Sequence, residues 1–314
     1  MALDIEYLLL LQNLRNSLSD VWTPVCAYFS DFCVTMIMLF PTFIYWCVNK
    51  RSGLFVFLSW KISVTVNALV KLTCCVYRPW IRDARVIPAG NALNLASGYS
   101  FPSGHTMMAA PIYGSMAVLS RSKFIKALLI FIILLLAFSR NFLGVHTPQD
   151  VVVGTTLGLL AVYAAYKILK YLDAKPEREN LVIALLFLFG LATLIYVTYK
   201  PYPMDYKDGK LLVDPVRMQI DAWHDAGGLM AFAFCWFIEK TFIKFKATGF
   251  NAKGVIINII GLIPVYIIIK GILRNYTILY FGVHWGHLID MSIMTIYIMI
   301  IWPLILKRLG YSED

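Results

Sequence analysis

Between Val21 and Pro303 the chain returns repeatedly to windows of about 20 predominantly apolar residues, the length a helix needs to cross a bilayer, broken only by short polar interruptions. That pattern decides the fold class, because the interior of a bilayer offers backbone amides no water and admits only structures that satisfy their own hydrogen bonds. With 314 residues, 60% of them hydrophobic, and a mean hydropathy of +0.70, the chain carries more apolar surface than a soluble domain of that length buries. The expectation is therefore an all-α fold, a polytopic transmembrane helical bundle of about nine spans, near 21–47, 54–77, 104–120, 124–139, 150–171, 181–199, 226–243, 254–272 and 284–306. Asp4 to Leu18, whose apolar and polar positions alternate at roughly helical spacing, reads as an amphipathic helix lying in the interface.

The formal net charge of +10 does not point to nucleic acid, because the basic residues fall between apolar spans instead of forming one patch. One set of alternate loops carries Lys50, Arg51, Arg121, Lys123, Lys175 and Lys240 and is expected to face the cytosol. The other set is expected outside, together with the amino terminus. All six cysteines lie in apolar stretches without zinc-site or disulfide spacing, and they read as small buried hydrophobes.

Three clusters at span ends on the outer set carry the chemistry. Lys71 and Arg78 are seven residues apart, close to two helical turns, so a continuous helix would project both from one face, with Pro79 ending it. Such a pair suits an anion, since arginine grips phosphate oxygens in a bidentate fork and lysine adds a point charge. Pro102-Ser103-Gly104-His105 opens the third span: Ser103 is expected as N-cap, Gly104 leaves room for close backbone approach, and the turn presents amides and a helix dipole to an anion. His105, one step inside, is placed to protonate a leaving alcohol oxygen. In Ser139-Arg140…His146…Asp150, the last two are four residues apart, so the carboxylate reaches the imidazole from one turn along and leaves its other nitrogen to attack phosphorus. Arg140 adds a cation for the equatorial oxygens. Thr147-Pro148-Gln149-Asp150 reads equally as a capping box, and the two roles of Asp150 stand side by side.

Taken together, KLTCCVYRP, PSGH and SRNFLGVHTPQD resemble the three-part signature of the type 2 phosphatidic acid phosphatase superfamily at every defining position. The resemblance implies a six-helix phosphatase core within 21–175, flanked by the interfacial helix at 1–20 and by additional transmembrane helices at 176–314. It implies His146 as nucleophile, Asp150 as its partner and His105 as acid, with Lys71, Arg78, Ser103, Gly104 and Arg140 as the phosphate pocket. No metal or other cofactor is expected, since the motif offers cations where a magnesium-dependent phosphatase needs clustered carboxylates. The implied substrate is a lipid phosphate (phosphatidate, sphingoid-base phosphate, or isoprenoid phosphate or pyrophosphate) drawn from membrane lipids. The rivals are a soluble sugar phosphate, or a binder or transporter that holds lipid phosphate without hydrolysis. The expected setting is a bacterial cell membrane with the site on the non-cytosolic face. The motifs do not encode oligomeric state.

His224, His284 and His287, with Asp221, Asp225 and Asp290 close in sequence, invite a metal site, but bundle-buried or interfacial histidines satisfied by neighbours are commoner, and membrane packing is the expectation for this region. Asp31 should face the bundle, with Lys61 as a partner guessed from charge alone.

Overall fold

The structure, a computed structural model, describes residues 3–18, 21–89 and 98–311, with the side chains of 268–271 outside that description. Among the described residues it is all-α except for one small hairpin, in which Tyr206–Lys207 pairs antiparallel with Lys210–Leu211. The helices are α1 (Leu3–Ser17), α2 (Trp22–Val48), α3 (Lys50–Cys74), α4 (Gly104–Leu119), α5 (Lys123–Phe142), α6 (Pro148–Ala174) and α7 (Glu179–Tyr199). They continue as α8 (Pro215–Ile243), α9 (Ala252–Pro264), α10 (Arg274–Phe281) and α11 (Val283–Arg308).

Seven helical segments among the described residues are long and apolar enough to cross a membrane, against the nine expected. The difference lies in two short segments. α4 has 16 residues, and at 1.5 Å per residue it falls short of a ~30 Å hydrocarbon core. The run from Ala252 to Ile267 is likewise too short by length. The protein is nonetheless a multi-pass membrane protein, and large apolar side chains such as Phe131, Leu134, Leu185 and Leu188 stand exposed on α5 and α7.

α3 is the axis of the bundle and packs against α4, α6 and α8. Leu54 through Leu58 are all buried, as expected of a helix that is apolar on every side. Lys61 is buried on α3, but not against Asp31. Its Nζ lies 3.3 Å from Met291 Sδ and 4.4 Å from the centre of the Trp60 ring. The guessed pair is thus replaced by two soft contacts, and Asp31 turns toward a different helix.

α3 also ends earlier than the spacing of its cations suggests. The helix stops at Cys74, and Cys75 takes the left-handed conformation (φ 49°) while its N–H bonds the Lys71 carbonyl. The Lys200 ammonium then caps the freed Leu72 carbonyl, placing a cation where the helix dipole favours one. Arg78 therefore sits in extended backbone before a short turn begun by Pro79. It meets Lys71 because the chain bends back, not because the two share a helix face. The same break leaves Cys74 exposed, although Cys33, Cys47 and Cys235 are buried as expected.

α1, expected as an interfacial helix, packs onto the rest of the protein. Ile5 and Leu8 bury against Val86, Arg82 pairs with Asp4 at 2.9 Å, and the Arg15 guanidinium donates to the carbonyls of Ile87 and Phe142. The helix thereby braces the segment that follows the first cluster and the loop that precedes His146.

Candidate active site

The ends of α3 and α5 and the starts of α4 and α6 meet at one end of the bundle. Around a cavity of about 290 Å³ stand Lys71, Arg78, Gly104, His105, Arg140 and His146. Ser103 and Asp150 are not in its lining and stand behind it. Pairs at the opposite end, Lys50 with Glu239 and Lys240 with Glu179, gather the loops read from charge as cytosolic.

His146 is buried in the turn between α5 and α6, where Asn141 Nδ2 donates to its carbonyl at 2.9 Å. Its Nδ1 lies 3.3 Å from Asp150 Oδ2 and its Nε2 lies 2.9 Å from Arg78 Nη1. A guanidinium only donates, so Nε2 must be the accepting, unprotonated nitrogen, and the ring proton belongs on Nδ1 facing the carboxylate. The lone pair therefore points toward the cations.

Asp150 makes both the capping contacts and the approach to His146. Its Oδ2 accepts from the Thr147 amide at 2.8 Å while Thr147 Oγ1 accepts from the Asp150 amide, which completes the capping box. The same carboxylate also accepts from Ser100 Oγ and faces His146. Ser100 carried no sequence signal beyond its nearness to the PSGH turn. The imidazole of His146, which lies between two spans, is pushed well below its ordinary value of 6.5, chiefly by burial and then by the Arg78 guanidinium, with Asp150 opposing.

Arg78 is held by its Nε–H to the Gly98 carbonyl at 3.1 Å and by Nη1 to the Val145 carbonyl at 2.8 Å. Arg140 is buried on α5, and its Nη1 donates to Ser30 Oγ at 2.8 Å. Its Nε and Nη2 are buried with no partner among the described residues. Buried guanidinium N–H groups without acceptors are costly, and an anion in the adjoining cavity would satisfy them.

Ser103 occupies the N-cap position of α4 but makes no capping bond with its side chain, contrary to expectation. Its amide instead donates to the Asp150 carbonyl at 3.0 Å, which ties the second cluster to the third, and its Oγ is buried without a partner among the described residues. A Cβ on Gly104 would lie 3.7 Å from Asn67 Nδ2 and 4.0 Å from Lys71 Nζ, so it would fill the space in front of the lysine. α6 reaches this turn only because Gly154 lacks a side chain: a Cβ there would stand 2.3 Å from Thr106 Oγ1 and 3.0 Å from the Ser103 carbonyl.

Two features escaped the sequence. Asp31 on α2 approaches His105, its Oδ1 3.8 Å from Nε2. And Asp221, His224 and Asp225 of α8, Arg274 of α10 and His287 of α11 line the same cavity as the three clusters. His224 Nδ1 lies 3.0 Å from Asp225 Oδ1, and Arg274 Nη2 3.5 Å from His287 Nδ1. The signal was there, in ionisable residues inside apolar helices, a placement that by default marks function. Among the described residues no three His, Cys, Asp or Glu side chains are grouped to hold a metal.

The sequence pattern of the PAP2 superfamily matches residues 52–174, a stretch containing all three clusters. The chain is similar to the phosphatidylglycerophosphatase B of Bacillus subtilis (strain 168), with 30% identity over 158 residues covering 48% of this chain and 71% of that protein. It is also similar to an undecaprenyl-diphosphatase of Sulfolobus acidocaldarius, with 27% identity over 139 residues covering 44% of this chain and 58% of that one. No solved structure matches.

Proposed function

The chain belongs to the PAP2 superfamily and is a phosphoric ester hydrolase, and on that premise we propose that it hydrolyses a lipid phosphate through a phosphohistidine formed on His146. The observation that carries this reading is the contact between Arg78 Nη1 and His146 Nε2, which marks Nε2 as the unprotonated nitrogen at the edge of a cationic cavity while Asp150 faces the other nitrogen.

In the proposed reaction the phosphoryl oxygens take the N–H groups of Arg78 and Arg140, the ammonium of Lys71 and the amides at the start of α4. Arg78 Nη1 turns its N–H from His146 Nε2 to a phosphoryl oxygen, the freed Nε2 lone pair forms a bond to phosphorus, the bond from phosphorus to the alcohol oxygen breaks, and His105 gives that oxygen its proton. Asp150 stabilises the positive ring that results, in the manner of the carboxylate of a hydrolase triad. Water then attacks phosphorus and yields a proton to His105. The P–N bond breaks, and inorganic phosphate leaves with both histidines restored. The fixed cations stabilise charge on the equatorial oxygens in both steps, where phosphoryl transfer needs it most.

The names of the two relatives, a phosphatidylglycerophosphatase and an undecaprenyl-diphosphatase, support a lipid as the alcohol. Phosphate release by the purified protein from diacyl, prenyl, sphingoid-base and sugar phosphates, with a chelator present, tests the proposal. Release from lipid phosphates with chelator is the expected result. A requirement for magnesium, turnover of sugar phosphate alone, or binding without release would each overturn it. The basic charge of the opposite loops supports a site on the non-cytosolic face. A cysteine introduced in the 200–214 loop of a cysteine-free variant should accept a membrane-impermeant label from outside intact cells, and labelling only after permeabilisation would reverse that orientation.

A further inference from the structure

Behind the catalytic cavity lies a second chamber of about 320 Å³, walled mainly by apolar side chains: Ile37 and Met38 of α2, Trp60 of α3, Val265 beyond α9, and Met294 of α11. It shares Val34, Met108, His224 and Arg274 with the catalytic cavity, so these four residues form the neck between the two spaces. One polar group stands out in the chamber wall. Asp290 is 6% exposed, and its Oδ1 is buried with no partner among the described residues. A carboxylate oxygen at membrane depth is costly unless a donor meets it.

We infer that this chamber receives the apolar chain of the substrate, led past His224 and Arg274, and that Asp290 accepts a hydrogen bond from a hydroxyl or ammonium on the carbons next to the phosphate ester. The inference rests on the lipid-phosphate reading above and deepens it, by giving the helices beyond residue 174 the task of selecting the chain. Continuity settles the occupant: a phosphate held by Lys71, Arg78 and Arg140 has its ester oxygen in the same cavity that opens through the neck, and an amphiphile anchored there places its chain beyond it. The character of the surfaces agrees, changing from cations at the cradle, through the polar His224 and Arg274 at the neck, to hydrocarbon in the chamber. Pockets that bind amphiphiles have this composition, largely apolar with a few placed polar groups. Val265, Arg274, Asp290 and Met294 all lie outside the stretch that matches the PAP2 superfamily.

Chain-length selection and direct labelling test this together. Met38→Phe on α2 and Met294→Phe on α11 each reduce the chamber, and each should lower the ratio of kcat/KM on a long straight-chain alkyl phosphate to that on a short one by about tenfold or more, equivalent to ~1.4 kcal/mol. A long-chain alkyl phosphate carrying a diazirine at its terminal carbon should label peptides containing residues 34–39, 265–266 or 294 of the unsubstituted protein. Ratios unchanged in both variants, or label confined to the exposed faces of α5 and α7, would overturn the chamber while leaving hydrolysis intact. If the unsubstituted protein releases phosphate from no lipid substrate, the reading on which the chamber depends falls first and the inference falls with it. Asp290→Asn should cost more on a long-chain phosphate bearing a hydroxyl beside the ester than on its deoxy counterpart; equal losses would remove Asp290 from the proposal.

Discussion

Asp31 Oδ1 lies 3.8 Å from His105 Nε2, joining the histidine of the second cluster to a helix that contains none of the three motifs. With His105 as the acid of the proposed reaction, a carboxylate at that separation would orient the imidazole without a tight hydrogen bond, which would make Asp31 a positioning residue. Its effect should depend on the leaving group. Asp31→Asn should slow hydrolysis of an alkyl phosphate by about tenfold or more, within the range for general acid catalysis, and should scarcely affect a nitrophenyl phosphate, whose phenolate leaves without a proton. Equal slowing on both substrates would assign Asp31 a merely structural role.

In the proposed reaction the environment of His146 should set the acid limit of activity. Burial, then the Arg78 guanidinium, and more weakly Lys71, lower its pKa from 6.5, while Asp150 raises it. A lowered value keeps the ring neutral, and so nucleophilic, as the pH falls through 6.5. The acid limb of kcat/KM should therefore lie below pH 6.5. The stability contribution has the same sign: it is fully present above the unfolded value, and it is lost as pH falls from there toward the folded one, because the unfolded chain takes up the proton first. A pH profile of kcat/KM, checked against titration of the His146 ring by NMR, measures this, and an acid limb above 6.5 would contradict it. Asp150→Asn should cost on the order of 10,000-fold in kcat, by analogy with the same change in a Ser-His-Asp triad.

Gly154 is the point at which α6 can press on the turn that holds Ser103. Alanine there would put its methyl against Thr106 Oγ1, which is not free to yield because it donates to the Ser103 carbonyl at 2.9 Å. Gly154→Ala should lower kcat by about tenfold or more with little change in the folded fraction, and Thr106→Ala in the same chain should recover part of the loss. Strict additivity of the two changes would show that the contact is not what positions the turn.

The grouping of the motif residues was legible in the sequence because motif residues are short-range statements. His146 and Asp150 are one helical turn apart, and a helix start brings them together without help from the rest of the fold. Lys71 and Arg78 were legible as a pair but not as a geometry, because the spacing implied an unbroken helix and the left-handed turn at Cys75, a residue type that rarely adopts it, leaves no trace in hydropathy. The role of α1 was hidden for a related reason. An amphipathic helix has the same pattern whether its apolar face meets lipid or, like Ile5 and Leu8, meets Val86. The charged residues of α8, α10 and α11 were visible but unconnected, since nothing local says that Asp221, Arg274 and His287 converge on one cavity from three helices.

Arg140 gives the sharpest measure of how the cradle holds an anion. Its Nη1 is fixed by Ser30, and its Nε and Nη2 have no partner among the described residues, so the guanidinium plane is already oriented when an anion arrives. Vanadate, which adopts the five-coordinate shape of the transition state, should inhibit by occupying that plane. Arg140→Lys keeps the charge but loses the fork, and a charge-assisted hydrogen bond is worth about 1.5–3 kcal/mol. The vanadate inhibition constant should therefore rise by roughly tenfold to a hundredfold. Ser30→Ala, which frees the plane without removing it, should raise it by less. An unchanged constant in Arg140→Lys would mean that charge alone suffices, and that the two unpartnered N–H groups do not meet the phosphoryl oxygens.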